Sequence, residues 1–176
     1  YAINEGFKTA LEDNYDYIGF VDADASTPAE SFYDLIKNIK YYDGVLASRY
    51  VRGAKLIPGI SLTRKVLSRV FNFLVRSFFF MPYKDTQCGA KLFKKEVIKI
   101  LINKVRMTQW AFDIELLYEI NKLGYRIIEI PTIWKDVGDS KMHLIRDPIK
   151  MFLSILQLRI IKSRYRIFLR PAKPVV

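Results

Sequence analysis

The feature that most constrains the fold is an alternation of short apolar runs with amphipathic segments. The apolar runs cover residues 15–21, 44–50 and 125–133, and each has the length of a buried strand. The segments between them repeat apolar residues at helical spacing. Strands that alternate with helices predict an α/β domain with a mostly parallel sheet and flanking helices. Ligands of such sheets bind beyond the carboxyl ends of the strands.

Two aspartates directly follow the first apolar run. Asp22 and Asp24 are separated by a single residue on a turn, so both carboxylates can face one cation. Mg²⁺ and Mn²⁺ prefer such oxygen ligands. The alternative is an ordinary turn in which one aspartate caps the next helix. A cap at Thr27, with Pro28 and Glu30 in the first turn, would leave both aspartates free and favours the cation site.

Helices are predicted along most of the remaining chain. Their approximate ranges are 1–13, 28–40, 61–80, 94–103, 111–123 and 147–170. Gly124 is the stop signal of the fifth helix. Loops are predicted at residues 51–60, 82–90 and 134–143. We therefore expect one domain at residues 1–146, followed by a basic amphipathic helix and tail at residues 147–176.

Two arginines are candidates for binding phosphate. Arg49 ends the second apolar run, and Arg64 begins the apolar helix. Guanidinium groups bind phosphate oxygens through paired hydrogen bonds. Position favours a functional role for these two residues. Arg52 and Arg69 are expected to be solvated surface arginines.

The segment at residues 84–93 carries polar residues in a predicted loop, and such loops often line the site of α/β enzymes. Asp85 and Gln87 are its candidate site residues. The alternative is a plain connection in which Gly89 supplies a positive φ. Cys88 is expected to be a small buried packing residue rather than a nucleophile. Because it is the only cysteine, the sequence excludes an internal disulfide and a multi-cysteine zinc site.

The start of the fifth predicted helix contains the acidic residues Asp113 and Glu115. The simple explanation is a favourable interaction with the helix dipole. Alternatively, Asp113 follows Trp110 and Phe112 into a partly apolar pocket and acts there as a base. Lys141 belongs to the loop before the last helix, where it either contacts a diphosphate or is simply solvated.

The net charge of +11 is distributed unevenly along the chain. Residues 1–40 contain eight acidic and three basic side chains, whereas residues 141–176 contain one acidic and nine basic side chains. A basic end suits an anionic partner, either nucleic acid or an anionic membrane surface. The sequence shows no nucleic-acid-binding motif, and the last helix has the composition of an interfacial helix. The apolar helix at residues 61–80 is a second membrane-facing candidate, unless both helices pack on the core.

Several sequence motifs occur in an order that resembles a known enzyme family. They are "DYIGFVDADASTP", "GVLASRYVRG", "TRKVLSRVFNFLVRSFF", "DTQCGAKLF", "FDIELLYEINKLGYRIIEIPTIWKD" and "DSK". Together they resemble the family 2 glycosyltransferases of the GT-A fold, and in particular the dolichyl-phosphate mannose and glucose synthases and their polyprenyl-phosphate relatives. The resemblance covers nearly the whole chain and implies a partial GT-A domain.

The resemblance also implies roles for the candidate residues. Asp22 and Asp24 match the metal-binding aspartates that hold Mg²⁺ or Mn²⁺ against the donor diphosphate. Asp113 matches the acidic position near the acceptor, and Asp85 matches the loop near the sugar, so both are candidate catalytic residues. The matches that are expected to bind the donor or a phosphate are Arg49, Arg64, Gln87 and Lys141.

The reaction implied by the resemblance is a metal-dependent hexose transfer, with inversion, from a GDP- or UDP-hexose to a polyprenyl (dolichyl) phosphate. A peripheral location at the cytoplasmic face of a membrane is implied as well. Ser26, where mannose synthases often have Gln, leans toward a glucose-type or broader polyprenyl-phosphate enzyme. Two alternatives stay open, namely an enzyme of the same fold with a saccharide or protein acceptor, and a non-catalytic membrane-associated fragment.

The first residues bear on the extent of the protein. Tyr1 lies inside a helical pattern without a cap, so we expect the chain to continue a longer protein. The family begins with strand–helix units that bind the nucleotide base and ribose, and we expect those units before Tyr1. We therefore also expect this chain alone to bind the donor poorly.

Overall fold

The computed structural model describes residues 2–57, 62–106, 111–135 and 146–163. These residues form six α-helices, one short 3-10 helix and six strands. In chain order they are α1 (Ala2–Glu12), β1 (Tyr17–Phe20), α2 (Ala29–Asn38), the 3-10 helix (Ile39–Tyr41), β2 (Gly44–Ser48), β3 (Lys55–Ile57), α3 (Leu62–Phe79), β4 (Lys91–Lys94), α4 (Lys95–Leu101), α5 (Phe112–Lys122), β5 (Ile127–Pro131), β6 (Ile133–Lys135) and α6 (Arg146–Lys162).

The main sheet has four strands in the order β1–β4–β2–β5. β4 is antiparallel to both β1 and β2, whereas β2 and β5 are parallel. The α/β class is confirmed, but the prediction of a mostly parallel sheet is wrong, because two of the three pairings are antiparallel. β1, β2 and β5 nevertheless run in the same direction, so their carboxyl ends lie at one edge of the sheet.

β4 is the strand that the sequence pattern does not reveal. The pattern predicts a loop up to residue 90 and a helix from about residue 94, whereas Lys91–Lys94 is a strand. A lysine at each end of four residues leaves only Leu92 and Phe93 as an apolar signal. Its extended conformation comes from pairing with β1 on one side and β2 on the other, and this tertiary contact overrides local propensity.

The side chains of β2 alternate between two apolar clusters, one on each face of the sheet. Val45 and Ala47 pack with Leu35 and with the 3-10 helix on one face. Leu46 packs on the other face, in a larger cluster that draws buried residues from the other five helices, such as Phe7, Val75, Ile98, Leu117 and Leu158. The sheet therefore lies between α2 and the remaining helices, and its carboxyl edge is left for a site.

β3 and β6 form a second, two-stranded parallel sheet. The sequence predicts a loop over β3 and a single strand at residues 125–133, where the structure has β5 and the start of β6. The chain changes sheets at Thr132, whose N–H donates to Ser48 O at 3.3 Å and whose carbonyl accepts from Lys55 N at 3.0 Å. Strands of three residues are too short to show a period of two in the sequence.

The two helix boundaries predicted from capping signals have different outcomes. The N-cap of α2 is Pro28, without a side-chain hydrogen bond, and the buried Thr27 Oγ1 has no hydrogen-bond partner among the described residues. The prediction of a Thr27 cap is therefore wrong. The cap does not support the hypothesis that Asp22 and Asp24 bind a metal. Gly124 does end α5, with a φ of +77° directly after the C-cap Leu123.

α6 packs against α3 and α5 along part of its surface. Ile155 and Leu158 are completely buried, and the ring of Phe152 lies 6.5 Å from that of Phe78 in α3. Lys162 Nζ lies 2.7 Å from the carboxylate of Glu115 in α5. Within the described ranges, no helix has both the length and the hydropathy that crossing a lipid bilayer requires.

Candidate active site

The turn after β1 presents two carboxylates at the carboxyl edge of the sheet. Asp22 O accepts a hydrogen bond from Ala25 N at 3.3 Å, and Asp24 Oδ1 accepts one from Ser26 N at 2.9 Å. Ala25 adopts a φ of 56°, which tightens the turn. Both aspartates are exposed residues. One carboxylate oxygen of Asp24 therefore stabilises the turn, and the other is available to bind a ligand.

Gly89 packs directly against the Asp22 carboxylate. A Cβ atom at this glycine would lie 1.8 Å from Asp22 Oδ2. Gly89 does not have a positive φ, so that explanation for its presence is wrong. A side chain at position 89 would occupy the space of the carboxylate, so Asp22 would have to move. This contact covers one side of an otherwise exposed aspartate.

A buried lysine joins this edge to α5. Lys91 Nζ donates to Asp113 Oδ1 and to the carbonyl of Cys88, both at 2.6 Å. Although Asp22 as a whole is exposed, its carboxylate lies against Gly89 and is partly buried, and this partial burial is the main cause of its raised pKa. Lys91 opposes the shift, and Asp113 and Asp24 add to it. The fold therefore brings these four charged groups within electrostatic reach of one another.

Arg49 and Asp85 form a buried bidentate pair. Arg49 Nε and Nη2 donate to the two oxygens of Asp85 at 2.8 and 2.9 Å, and Arg49 N also donates at 2.9 Å. Burial alone would raise the pKa of Asp85, but the charge and hydrogen bonds of Arg49 prevail and lower it. Asp85 is only 1% exposed. Its carboxylate is thus committed to Arg49 and is closed off from solvent.

Three further residues of the site carried no functional prediction from the sequence. Glu129 of β5 accepts hydrogen bonds from Lys84 N at 2.7 Å and Asp85 N at 2.8 Å, which fixes the loop that holds Arg49. The ring of Trp134 lies 5.6 Å from the Arg49 guanidinium. Lys91 is the third. The available signal for Glu129 was a charged residue inside an apolar run, whereas Lys91 follows a predicted loop and carried no such signal.

The segment directly before β4 is mostly buried. Cys88 is buried, and burial raises the pKa of its thiol to about 11. The thiol is therefore protonated near neutral pH, which agrees with the predicted packing role. Gln87 Nε2 is buried and has no hydrogen-bond partner among the described residues. A buried amide nitrogen without a partner is an exception in folded proteins, where most buried polar atoms are hydrogen-bonded.

A cavity of about 380 Å³ lies beside the Arg49–Asp85 pair. It combines basic and small apolar side chains, and its lining residues are Arg49, Tyr50, Val51, Ala54, Leu56, Lys65 and Arg69. The Tyr50 hydroxyl is 2.6 Å from Ser68 Oγ, and the Arg69 guanidinium lies 4.7 Å from the Tyr50 ring. Arg69 is exposed as predicted, but it also forms part of this cavity.

The candidate donor set for a metal consists of two carboxylates, those of Asp22 and Asp24. Among the described residues, no group of three or more His, Cys, Asp or Glu side chains is arranged to hold a metal ion. Asp22 and Asp24 fit Mg²⁺ or Mn²⁺, which commonly bind one or two carboxylates together with substrate phosphates. The side chain of Arg64, in the first turn of α3, and all of Lys141 fall outside the described part of the chain.

Comparison with known proteins places the chain in a family. Residues 1–101 match the family described as glycosyl transferase family 2. The chain is 31% identical to glycosyltransferase AglD of Haloferax volcanii over 89% of its length and 24% of the relative. It is 30% identical to dolichyl-phosphate beta-glucosyltransferase of Dictyostelium discoideum, over 81% of the chain and 46% of the relative. For undecaprenyl-phosphate mannosyltransferase of Micrococcus luteus, the values are 26%, 78% and 57%.

The chain spans only part of the relatives that it matches. It covers 24% of glycosyltransferase AglD and 46% of the Dictyostelium discoideum relative. The match to the family covers residues 1–101, more than half of the chain, and includes Asp22, Asp24, Arg49 and Asp85. The chain therefore belongs to glycosyl transferase family 2.

Proposed function

We propose that the protein containing this chain transfers a hexose, with inversion, from a nucleotide sugar to a polyprenyl phosphate. The observation that carries the proposal is a placement in the fold. Asp22, Asp24 and Arg49 follow β1 and β2 at one edge of the sheet, where Lys91 holds Asp113, next to a basic and apolar cavity. Two relatives support the acceptor class, because their names specify dolichyl phosphate and undecaprenyl phosphate.

Asp22 and Asp24 would hold the Mg²⁺ or Mn²⁺ ion. When bound there, the ion would stabilise the negative charge that develops on the leaving nucleoside diphosphate. The fold positions both carboxylates in the absence of the ion. Gly89 leaves room for the Asp22 carboxylate, and the hydrogen bond from Ser26 N orients Asp24.

Arg49 would bind a phosphate group of a substrate. A guanidinium carries five N–H donors, and Asp85 uses two of the side-chain donors. The remaining three can serve a phosphate, while the lowered pKa of Asp85 keeps that carboxylate ionised and the pair intact. We therefore assign Asp85 to positioning Arg49 rather than to contact with the sugar.

The cavity beside Arg49 would receive the head of the acceptor. Lys65 and Arg69 supply further positive charge, which suits a phosphate. Val51, Ala54 and Leu56 offer apolar surface to the first part of a polyprenyl chain. A polar saccharide acceptor would not use that apolar wall, and this difference favours the lipid phosphate over the saccharide or protein alternative.

Asp113 would orient the reacting groups more than remove a proton. A phosphate monoester has its second pKa near 6, so a lipid phosphate is largely ionised near neutral pH and needs little help from a base. Asp113 lies at the start of α5 with its side chain 23% exposed. It is therefore accessible to a substrate bound at the sheet edge.

The surface of α3 supports a location at a membrane. Its exposed large apolar residues recur at helical spacing and are Leu62, Val66, Val70 and Phe73. α6, which packs on α3, exposes Ile149, Leu153 and Ile160. We propose that this apolar surface, with its neighbouring lysines and arginines, lies on the cytoplasmic face of an anionic membrane.

The test measures hexose transfer in the protein that contains this chain. GDP- and UDP-linked glucose and mannose are each offered with Mn²⁺ or Mg²⁺ and with either a polyprenyl phosphate or a soluble saccharide as acceptor. We expect product with at least one donor, loss of product with a chelator, and restoration by added metal. Ser26 favours a glucose donor or a broader polyprenyl-phosphate enzyme. Transfer that persists with the chelator would contradict the metal role, and transfer only to a soluble saccharide would favour the alternative acceptor.

Asp22→Asn is the matched variant for that assay. It removes one negative charge from the proposed metal site while keeping the size of the side chain. We expect transfer to fall by roughly 100-fold or more, in line with the loss of a group that stabilises transition-state charge. Asp34→Asn is the control, since Asp34 pairs with Lys37 on the exposed side of α2. Equal activity of the two variants would contradict the proposed site.

A further inference from the structure

Lys91 is an unusual residue for the middle of a sheet. It lies in β4 with Phe20 of β1 and Leu46 of β2 as its Cα partners, and its side chain is 0% exposed. Lysine is almost never fully buried unless it is paired. Its partner Asp113, by contrast, has a side chain that reaches the surface. The pair therefore has one end in the core and the other end at the candidate site.

The contacts of Lys91 hold its ammonium group in one place. Nζ donates to Asp113 Oδ1 and to Cys88 O, and it lies 5.2 Å from the centre of the Phe20 ring. The Cys88 carbonyl belongs to the backbone and the ring belongs to β1, so both are fixed parts of the fold. Fixing Asp113 Oδ1 also fixes the direction of the second carboxylate oxygen.

Folding alone does not explain a lysine at this position. Replacing a buried ion pair by well-packed apolar residues is often neutral or stabilising. The next two residues of the strand, Leu92 and Phe93, are apolar and buried. What an apolar residue could not do is hold a carboxylate at the edge of the site. That edge also contains Asp22, whose carboxylate interacts with both Lys91 and Asp113.

We propose that Lys91 is a positioning residue for the transfer reaction, because it fixes the Asp113 carboxylate in the orientation that the reacting groups require. The inference rests on the proposed function and deepens it. Lys91 is closed off from substrate, so it acts through Asp113. Without the ammonium group, the carboxylate would be free to rotate, and displacing a group in an active site by about 1 Å can slow a reaction roughly 100-fold.

The test is a double-mutant cycle in the protein that contains this chain. Lys91→Met and Asp113→Asn are each expected to lower kcat by roughly 100-fold, with a smaller change in the KM for the donor. Because Lys91 acts through Asp113, the double variant should be no slower than Asp113→Asn. Lys91→Arg retains the charge and should recover part of kcat. Losses that multiply in the double variant, or an unchanged kcat in Lys91→Met, would overturn the proposal.

Lys94→Met is the matched control. Lys94 lies at the other end of the same strand, and its Nζ is 3.2 Å from Asp43 Oδ1. This change removes a lysine–aspartate pair without touching Asp113, so kcat should remain unchanged. A fall in kcat equal to that of Lys91→Met would show that any disturbance of β4 slows the reaction, and it would overturn the specific role of Lys91.

A measurement that requires neither activity nor a folded Lys91→Met variant separates this inference from the proposed function. In ¹H–¹⁵N spectra, the ammonium protons of Lys91 should exchange slowly with water, because they are buried and hydrogen-bonded. Asp113→Asn should weaken this protection, and Asp43→Asn should not. An exchange rate that does not respond to Asp113→Asn would overturn the pairing. Clear protection in a protein that transfers no hexose would overturn the proposed function alone.

Discussion

The two ends of the main sheet both use an aspartate to bind a basic residue, with different consequences. At the amino end, Asp43 accepts hydrogen bonds from Lys94 Nζ at 3.2 Å and from Arg126 N at 2.9 Å. At the carboxyl end, Asp85 accepts three hydrogen bonds from Arg49 at 2.8 to 2.9 Å. The Asp43 pair is partly exposed, whereas the Asp85 pair is nearly closed to solvent.

The difference lies in what each pair leaves available. Asp43 connects the starts of β2 and β5 to the end of β4, so these contacts hold neighbouring strands together. Among the described residues, three side-chain N–H donors of Arg49 remain after its pairing with Asp85, and Arg49 lines the cavity next to the site. The same type of ion pair therefore fixes the relative positions of the strands at one end, and at the other end it orients a candidate phosphate-binding side chain.

The largest expected difference between the ends is in stability. Asp85→Asn leaves the Arg49 charge buried without its full partner, so the free energy of unfolding should fall by about 3–5 kcal/mol. Asp43→Asn disturbs a partly exposed pair and should cost about 1 kcal/mol or less. Urea denaturation of both variants measures these values. Similar losses in the two variants would remove the distinction between the two ends.

A smaller effect is expected from Gly89→Ala, and it concerns the binding and use of the donor rather than stability. The added Cβ would displace the Asp22 carboxylate, so metal-dependent donor binding or transfer should fall roughly 100-fold. Gly6→Ala is the control, because a Cβ there meets nothing within 4 Å. That helical substitution should stabilise the protein by about 0.5–1 kcal/mol. Unchanged Mn²⁺ and donor binding in Gly89→Ala would show that Asp22 does not need its present position.

Membrane binding offers a further contrast between exposed aromatic side chains. Phe73 of α3 is 66% exposed, and Tyr41 near the amino end of β2 is 69% exposed. Phe73→Ser should weaken binding to anionic vesicles about tenfold or more, in keeping with the loss of a buried aromatic ring. Tyr41→Ser should leave binding unchanged. Vesicle flotation measures both, and equal loss in the two variants would mean that the bilayer does not select the α3 face.

The smallest expected effect is the acid dependence of stability. The pKa values of Asp43 and Asp85 are both lowered from 3.8. A carboxyl group with a lowered folded pKa contributes stability above its unfolded pKa and loses it as the pH falls through the folded pKa. Stability should therefore decline below about pH 4. Urea midpoints between pH 5 and pH 2 should decline less steeply in Asp85→Asn, and parallel curves would contradict this assignment.

Candidate site residues could be predicted from the sequence where they lie at the end of a recognisable strand. Asp22 and Asp24 follow one apolar run and Arg49 lies at the end of another, so the sequence alone places them at one sheet edge. Lys91 was not predictable in this way, because its strand exists only through its neighbours. The role of Asp85 was equally hidden, since the bond to Arg49 joins residues 36 positions apart.

The capping argument shows the limit of a local signal. Thr27, Pro28 and Glu30 have the residue types of a capping box, yet the hydroxyl of Thr27 is buried and makes no cap. The packing of Thr27 into the protein, which is a tertiary effect, overrides the local preference. The metal assignment consequently rests on Asp22, Asp24 and the Gly89 contact, and not on the cap.

By itself, the sequence determined the α/β class, most of the helices, the placement of two aspartates after a strand and the family motifs, because each depends on residues close together in the chain. Tertiary structure alone decided the antiparallel β4, the pairing of Arg49 with Asp85 and the burial of Lys91 against Asp113. These features depend on contacts between distant segments, where packing and desolvation outweigh the local preferences that a sequence pattern records.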